Sequence, residues 1–136
     1  MASYNKHQNW VEDMQESVNT GSDSFVVALT TNANAPSASN ATLSALTTIS
    51  YTNLSSRSLT TSTSAQSAGT FTLLFADLTL TASGAVATFR WVDIYDDTPT
   101  SPADPLMCYY DYGADVTLAN GETFTLDFTT STYMVS

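Results

Sequence analysis

Thr123-Phe124-Thr125-Leu126-Asp127-Phe128 places Phe, Leu and Phe on one side of an extended chain and Thr, Thr and Asp on the other. A strict two-residue period describes a β-strand packed on one face and wet on the other. The same alternation runs upstream, where Phe71, Leu73 and Phe75 alternate with Thr70 and Thr72, and Leu78 and Leu80 with Asp77, Thr79 and Thr81. These segments read as two strands or one bent strand. Ser83-Gly84 then supplies a turn. Val86 to Tyr95 follows, apolar on both faces through Phe89, Trp91, Val92 and Ile94, as expected of a strand at the centre of a sheet. Asp96 to Pro105 holds three of the four prolines and is a loop. Leu106 to Tyr112 resumes as an aromatic strand, with a bend expected at Gly113 and a hairpin signal at Asn120-Gly121.

Working outward, Phe25 to Thr30 is β-rich and apolar on both faces, which predicts another central strand. A polar loop runs from Asn32 to Asn40, and Leu43 to Leu46 suits a single helical turn. Between Ser55 and Thr70 the chain is nearly all Ser, Thr, Ala, Gln and Gly. Low hydrophobicity there suggests mobility, but disorder usually also needs charge or Pro, so an ordered Thr-rich edge strand, or an arm held by a partner, is expected. Residues 4–18 have a helical period, with Trp10, Val11, Met14 and Val18 on one face and Lys6, Glu12, Asp13 and Glu16 elsewhere. Ser3 or Asn5 can cap the start, and Gly21 stops the end. The predicted fold is mainly β, an antiparallel sandwich or barrel of about eight strands with one short N-terminal helix. It forms a single domain over 1–136, helix at 4–18 and strands at 24–136.

Composition narrows the function. Only 12% of the 136 residues are charged, about half the usual share, so Ser, Thr and Asn must cover much of the surface. Such a surface suits a protein whose faces meet other chains. The net charge is −10, with Lys6, Arg57 and Arg90 the only basic side chains. Nucleic acid is therefore not an expected partner, because phosphate neutralisation needs clustered Lys or Arg. The same field disfavours anionic membranes, and no stretch approaches membrane-spanning length. Met1 to Lys6 leads into polar residues with no apolar run of signal-peptide length, so synthesis in a cytoplasm is expected. Cys108, the only cysteine, lies in an apolar aromatic run without nearby positive charge and reads as a buried, inert thiol.

Residues with chemistry are few. His7, the only histidine, falls in the polar part of the predicted helix and reads as a solvated or interface side chain. Nothing resembles a nucleophile elbow, and no enzymatic activity or cofactor is expected. Asp93, Asp96, Asp97, Asp104, Asp111, Asp115, Glu122 and Asp127 occupy 35 residues that contain no Lys or Arg. Asp96, Asp97 and Asp104 share one Pro-rich loop and are weak candidates for a hard cation such as Ca²⁺, although the spacing of an EF-hand is absent and a solvated turn is the plainer reading. Paired carboxylates also hydrolyse glycosides, but so small a domain has trouble forming a long sugar groove. Trp91, Tyr95, Tyr109, Tyr110 and Tyr112 are expected mostly in the core rather than on a sugar platform. The predicted partner surface is the apolar helix stripe Trp10, Val11, Met14 and Val18, which must dock on its own domain or a neighbour, together with Arg57 in the low-charge segment.

The order of segments resembles a family of small virion proteins encoded in tailed-phage genomes. The resemblance rests on Asn5-Lys6-His7-Gln8-Asn9-Trp10-Val11-Glu12-Asp13, Ser22-Asp23-Ser24-Phe25-Val26-Val27-Ala28-Leu29-Thr30, Tyr95-Asp96-Asp97-Thr98-Pro99 and Asp104-Pro105-Leu106. It ends on Tyr110-Asp111-Tyr112-Gly113 and Leu118-Ala119-Asn120-Gly121-Glu122-Thr123-Phe124-Thr125-Leu126-Asp127-Phe128. Most of the chain is covered, and the Ser/Thr-rich middle departs most. The resemblance implies a capsid decoration or cement protein on the outer surface of the virion. There it would bind the major capsid protein, commonly as a homotrimer, after synthesis in the host cytoplasm. A tail or adsorption component meeting a receptor or glycan is the alternative.

Overall fold

The computed structural model describes residues 2–128 and the backbone of Tyr133–Val135. The architecture is mainly β and antiparallel, with, among the described residues, eight strands of three residues or more, a two-residue first strand and one α-helix. The largest sheet has the order β1 (Asn5–Lys6), β7 (Leu106–Val116), β6 (Phe89–Asp96), β2 (Phe25–Thr30). Opposite it lie a three-stranded sheet, β3 (Thr61–Ser67), β4 (Thr70–Phe75), β9 (Tyr133–Val135), and a two-stranded one, β5 (Leu78–Thr81) with β8 (Thr123–Leu126). The sheets face one another as a sandwich and do not close into a barrel.

One face of the four-stranded sheet packs on both smaller sheets. Val27, Leu29, Phe89 and Val92 meet Leu80, with Leu78, Phe124 and Leu126 at the margin. Phe25, Ile94, Met107 and Cys108 meet Leu73, Phe75 and the helix residue Trp10. The other face is covered in part by the loop before β3, whose Leu43 and Leu46 pack on Val26, Ala28, Tyr95 and Leu106. Coverage on both faces explains why β2 and β6 read as apolar throughout.

Several sequence expectations need correction. The helix α1 spans Trp10–Glu16, two turns rather than the four of 4–18, because Asn5 and Lys6 pair with Tyr109 and Cys108 as β1. A hydrogen bond to another strand outcompetes a short isolated helix. β2 is not central but terminal in its sheet; its outer side is covered by the passage from Ile49 to Leu59, through Ile49 N to Leu29 O, Val27 N to Arg57 O and Leu59 N to Phe25 O. Asn120-Gly121 does not join paired strands. Gly121 has φ +85° and the turn carries the chain from β7 in one sheet to β8 in another, where Phe124 sits opposite Leu80.

Other expectations hold. β6 lies between β7 and β2, and Gly113, with φ +91°, sits where four residues of β7, Tyr112 to Asp115, oppose the single Arg90 of β6. Phe71 to Thr81 is two strands in different sheets. β3 is an ordered edge strand, joined to β4 by a tight turn at Ala68 and Gly69, both with positive φ.

Candidate functional site

The alternation of β6 decides where its polar side chains go. Asp93 sits between Val92 and Ile94, opposite Ala28 on one side and Tyr109 on the other, so it points to the face away from the smaller sheets. There it is 1% exposed and meets His7, 0% exposed, at 2.9 Å between Oδ2 and Nε2. The Tyr109 ring lies 4.8 Å from the imidazole. Two acceptors at that distance require a proton between them. Burial pushes the Asp93 carboxyl above the usual carboxylate range, and the His7 hydrogen bond pulls it partly back. His7 is therefore not the solvated helix residue its position suggested. Its backbone N–H donates to Met107 O, which seats it beside β7 just ahead of the helix.

Histidine and aspartate are two members of a relay, but the thiol does not join them. Cys108 pairs with Lys6 and Ile94 on the opposite face of the sheet, is fully buried, and has its thiol pushed up by burial and by the Asp93 charge. Strand alternation thus separates the sulfur from the imidazole. His7 Nδ1, Asp93 Oδ1 and Thr30 Oγ1 are buried polar atoms that no protein donor or acceptor reaches among the described residues.

The acidic loop does not gather into one centre. Asp96 turns inward, 0% exposed, and its partner is Asp23, while Asp104, with φ +49°, faces Asp97. Burial first, then the Asp23 carboxyl, push Asp96 up to about 8, against the pull of Thr98 N–H at 3.0 Å. At neutral pH this pair shares a proton. Asp97 N–H donates to Ser24 O, and Ser24 N–H to the Thr98 hydroxyl, so the corner ties the start of β2 to the end of β6. Asp96, Asp97 and Asp104 are split between two pairs, and among the described residues no group of three or more His, Cys, Asp or Glu is placed to hold a metal ion.

The predicted partner surface is largely internal. Trp10 is fully buried against Phe25, with ring centroids 6.3 Å apart, and Met14 and Val18 pack on the same cluster; Val11 alone of the stripe is exposed, at 47%. The stripe docks on its own domain because a two-turn helix has no stability without that burial. Arg57, partly buried, acts as a clamp. Its guanidinium lies 3.6 Å over the Tyr51 ring and donates through Nη1 to Val27 O, bracing the passage that covers β2. The aromatic run is divided between faces. Tyr95 is buried, Trp91 and Tyr109 are half-buried 6.1 Å apart on one face, and Tyr110 packs in the core of the other. Tyr112 is 57% exposed and leans on Phe124.

Neither the His7–Asp93 pair nor the Asp23–Asp96 pair was evident from the sequence. One signal was available: a carboxylate inside a strand apolar on both faces demands a partner, and the chain has one histidine and three other cations to supply it. Comparison of the chain with family models, with curated proteins and with solved structures finds no match in any of the three.

Proposed function

We infer that the chain is a non-enzymatic structural protein of a phage particle, a decoration or cement protein that binds the outer surface of the major capsid protein shell and stabilises it. One observation carries the reading. The imidazole and the thiol, the two side chains best suited to catalysis, are sealed at 0% exposure, while the surface presents hydroxyls and carboxylates suited to contact. The resemblance of the strand and turn segments to small tailed-phage virion proteins supports the same role. Repetition by symmetry lets many weak contacts of this kind sum to a stable shell.

Quantitative mass spectrometry of purified tailless heads tests it. The protein should be present at a copy number tied to the shell lattice, and heads lacking it should rupture at lower temperature. Heads without the protein, or equal rupture temperatures with and without it, would sink the role. A second reading, a tail or adsorption component, is favoured by the half-buried Trp91 and Tyr109 rings, tilted 51° to one another beside the Arg90–Asp111 ion pair, an aromatic and polar surface of the kind that meets sugars. Immunogold labelling confined to tails would select it.

A further inference from the structure

Sheet edges in this molecule are guarded in three ways, and β3 has none of them. Chain passages cover the outer sides of β2 and β5, the latter through Ser55 N to Thr81 O and the Leu54–Ala82 bridge. β1 and β9 are only two and three residues long. The part of β7 beyond β1 carries Asp111 and Asp115, and β8 is bracketed by Glu122 and Asp127. Short length, cover and charge are among the usual deterrents to edge-to-edge pairing; bulges are another, and the one irregularity of β3 lies at its start, between Thr61 and Thr63, leaving Thr63 to Ser67 in regular register. By contrast, β3 is seven residues of Thr, Ser, Ala and Gln, with no charge, no proline and no buried residue. It pairs with β4 on one side. On the other, its backbone makes no hydrogen bond among the described residues, and Ser64 Oγ donates to Thr20 O in the nearby turn at 3.2 Å.

We propose that the open edge of β3 pairs antiparallel with β3 of a second copy of this chain. Charge selects this occupant. Each copy carries −10, so two copies repel unless they meet through a surface without carboxylates. From Ser24 to Ala76 the only charged residue is Arg57, and β3 lies in that stretch. The strand is also self-complementary. In every antiparallel register Ser, Thr, Ala and Gln oppose the same four residue types, allowing cross-strand hydroxyl pairs and no like charges. The product is a continuous six-stranded sheet, β9-β4-β3-β3-β4-β9. A contact of this size is below a standard stable interface, so it is weak in dilute solution and strengthens where copies are held close together. It is two-fold and makes pairs, so a trimer would use another surface, and it does not rest on the virion reading.

Sedimentation velocity and amide hydrogen exchange on the purified full chain, from micromolar to millimolar concentration, test it. A monomer–dimer equilibrium is expected, with the outward amides of Thr61–Ser67 exchanging more slowly as concentration rises. Ser62→Lys with Gln66→Lys, both at exposed positions, should abolish both effects at unchanged melting temperature. The exchange measurement on the unaltered chain stands whether or not that variant folds. A monomer at every concentration with fast β3 amides overturns the proposal. So does a dimer whose β3 amides keep the monomer rate, or β3 protection that arises only when a different protein is added.

Discussion

β2 and β3 both end their sheets, six and seven residues long, yet every residue of β2 is buried and none of β3 is. Position in a sheet therefore does not decide exposure; what lies across the outer edge does. Along β2 the chain from Ile49 to Leu59 supplies that cover and Arg57 pins it. Along β3 nothing comparable is present among the described residues. Charge follows the same division. From Asp93 onward the carboxylates lie on β6, β7 and the loop between them and at both ends of β8, while the β3–β4 hairpin carries none.

The contrast can be broken most severely at Phe25, 1% exposed and 5.2 Å from the Phe75 ring. Phe25→Ala should cost about 3–5 kcal/mol by the usual loss for a buried aromatic. Gln66→Ala on β3 should change stability by less than about 0.5 kcal/mol. Chemical denaturation of the two variants measures both, and equal losses would mean that β3 is buried by something else.

Arg57→Ala tests the cover itself. Losing a charge-assisted hydrogen bond and a cation–π contact should cost about 2 kcal/mol. Hydrogen exchange should then show faster amides at Val27 and Leu59, whose bonds form the seam. Unchanged exchange there would separate the arginine from the seam.

The smallest effect is on pH. The Asp96 carboxyl, opposite Phe25 at the start of β2, is pushed from 3.8 up to about 8. The unfolded chain releases this proton near pH 4 and the folded chain holds it until about 8, so the contribution is complete below pH 4 and is lost as pH rises to 8. Asp23 is only half-buried, so solvent screening keeps the loss below that at Arg57. Melting temperature across that window should fall for the unaltered chain and fall less for Asp96→Asn. Asp93, Asp13 and Asp104, also raised by burial, contribute to the remaining slope. A flat profile in the unaltered chain would show that the pair holds no proton.

Periodicity made most strands legible, because a two-residue alternation has one structural meaning. Thr123 to Phe128 and Phe71 to Thr81 were readable on that ground alone. The failures share a cause, which is that cover and pairing are non-local. An all-apolar β2 looks central whether a strand or a loop lies beside it. The Trp10, Met14 and Val18 spacing is truly helical, but the pairing of Asn5 and Lys6 with β7 cuts the helix short, and that partner lies about a hundred residues away. Asn120-Gly121 specified a turn without specifying which strands it joins. The acids of the Pro-rich loop were close in sequence, yet side-chain direction separated Asp96 from Asp97 and Asp104.

The two-residue strand β1 and the His7 behind it bear on how the chain reaches this structure. His7 meets Asp93 across 86 residues, and Asn5 meets Tyr109 across 104. Contacts this distant close slowly, since the loop entropy must be met before they form. The segment of β1 and His7 is thus seated last. Until β6 and β7 exist, Trp10 and His7 have no pocket to enter, and pulse-labelled refolding should find the amides of His7 and Trp10 among the last to gain protection.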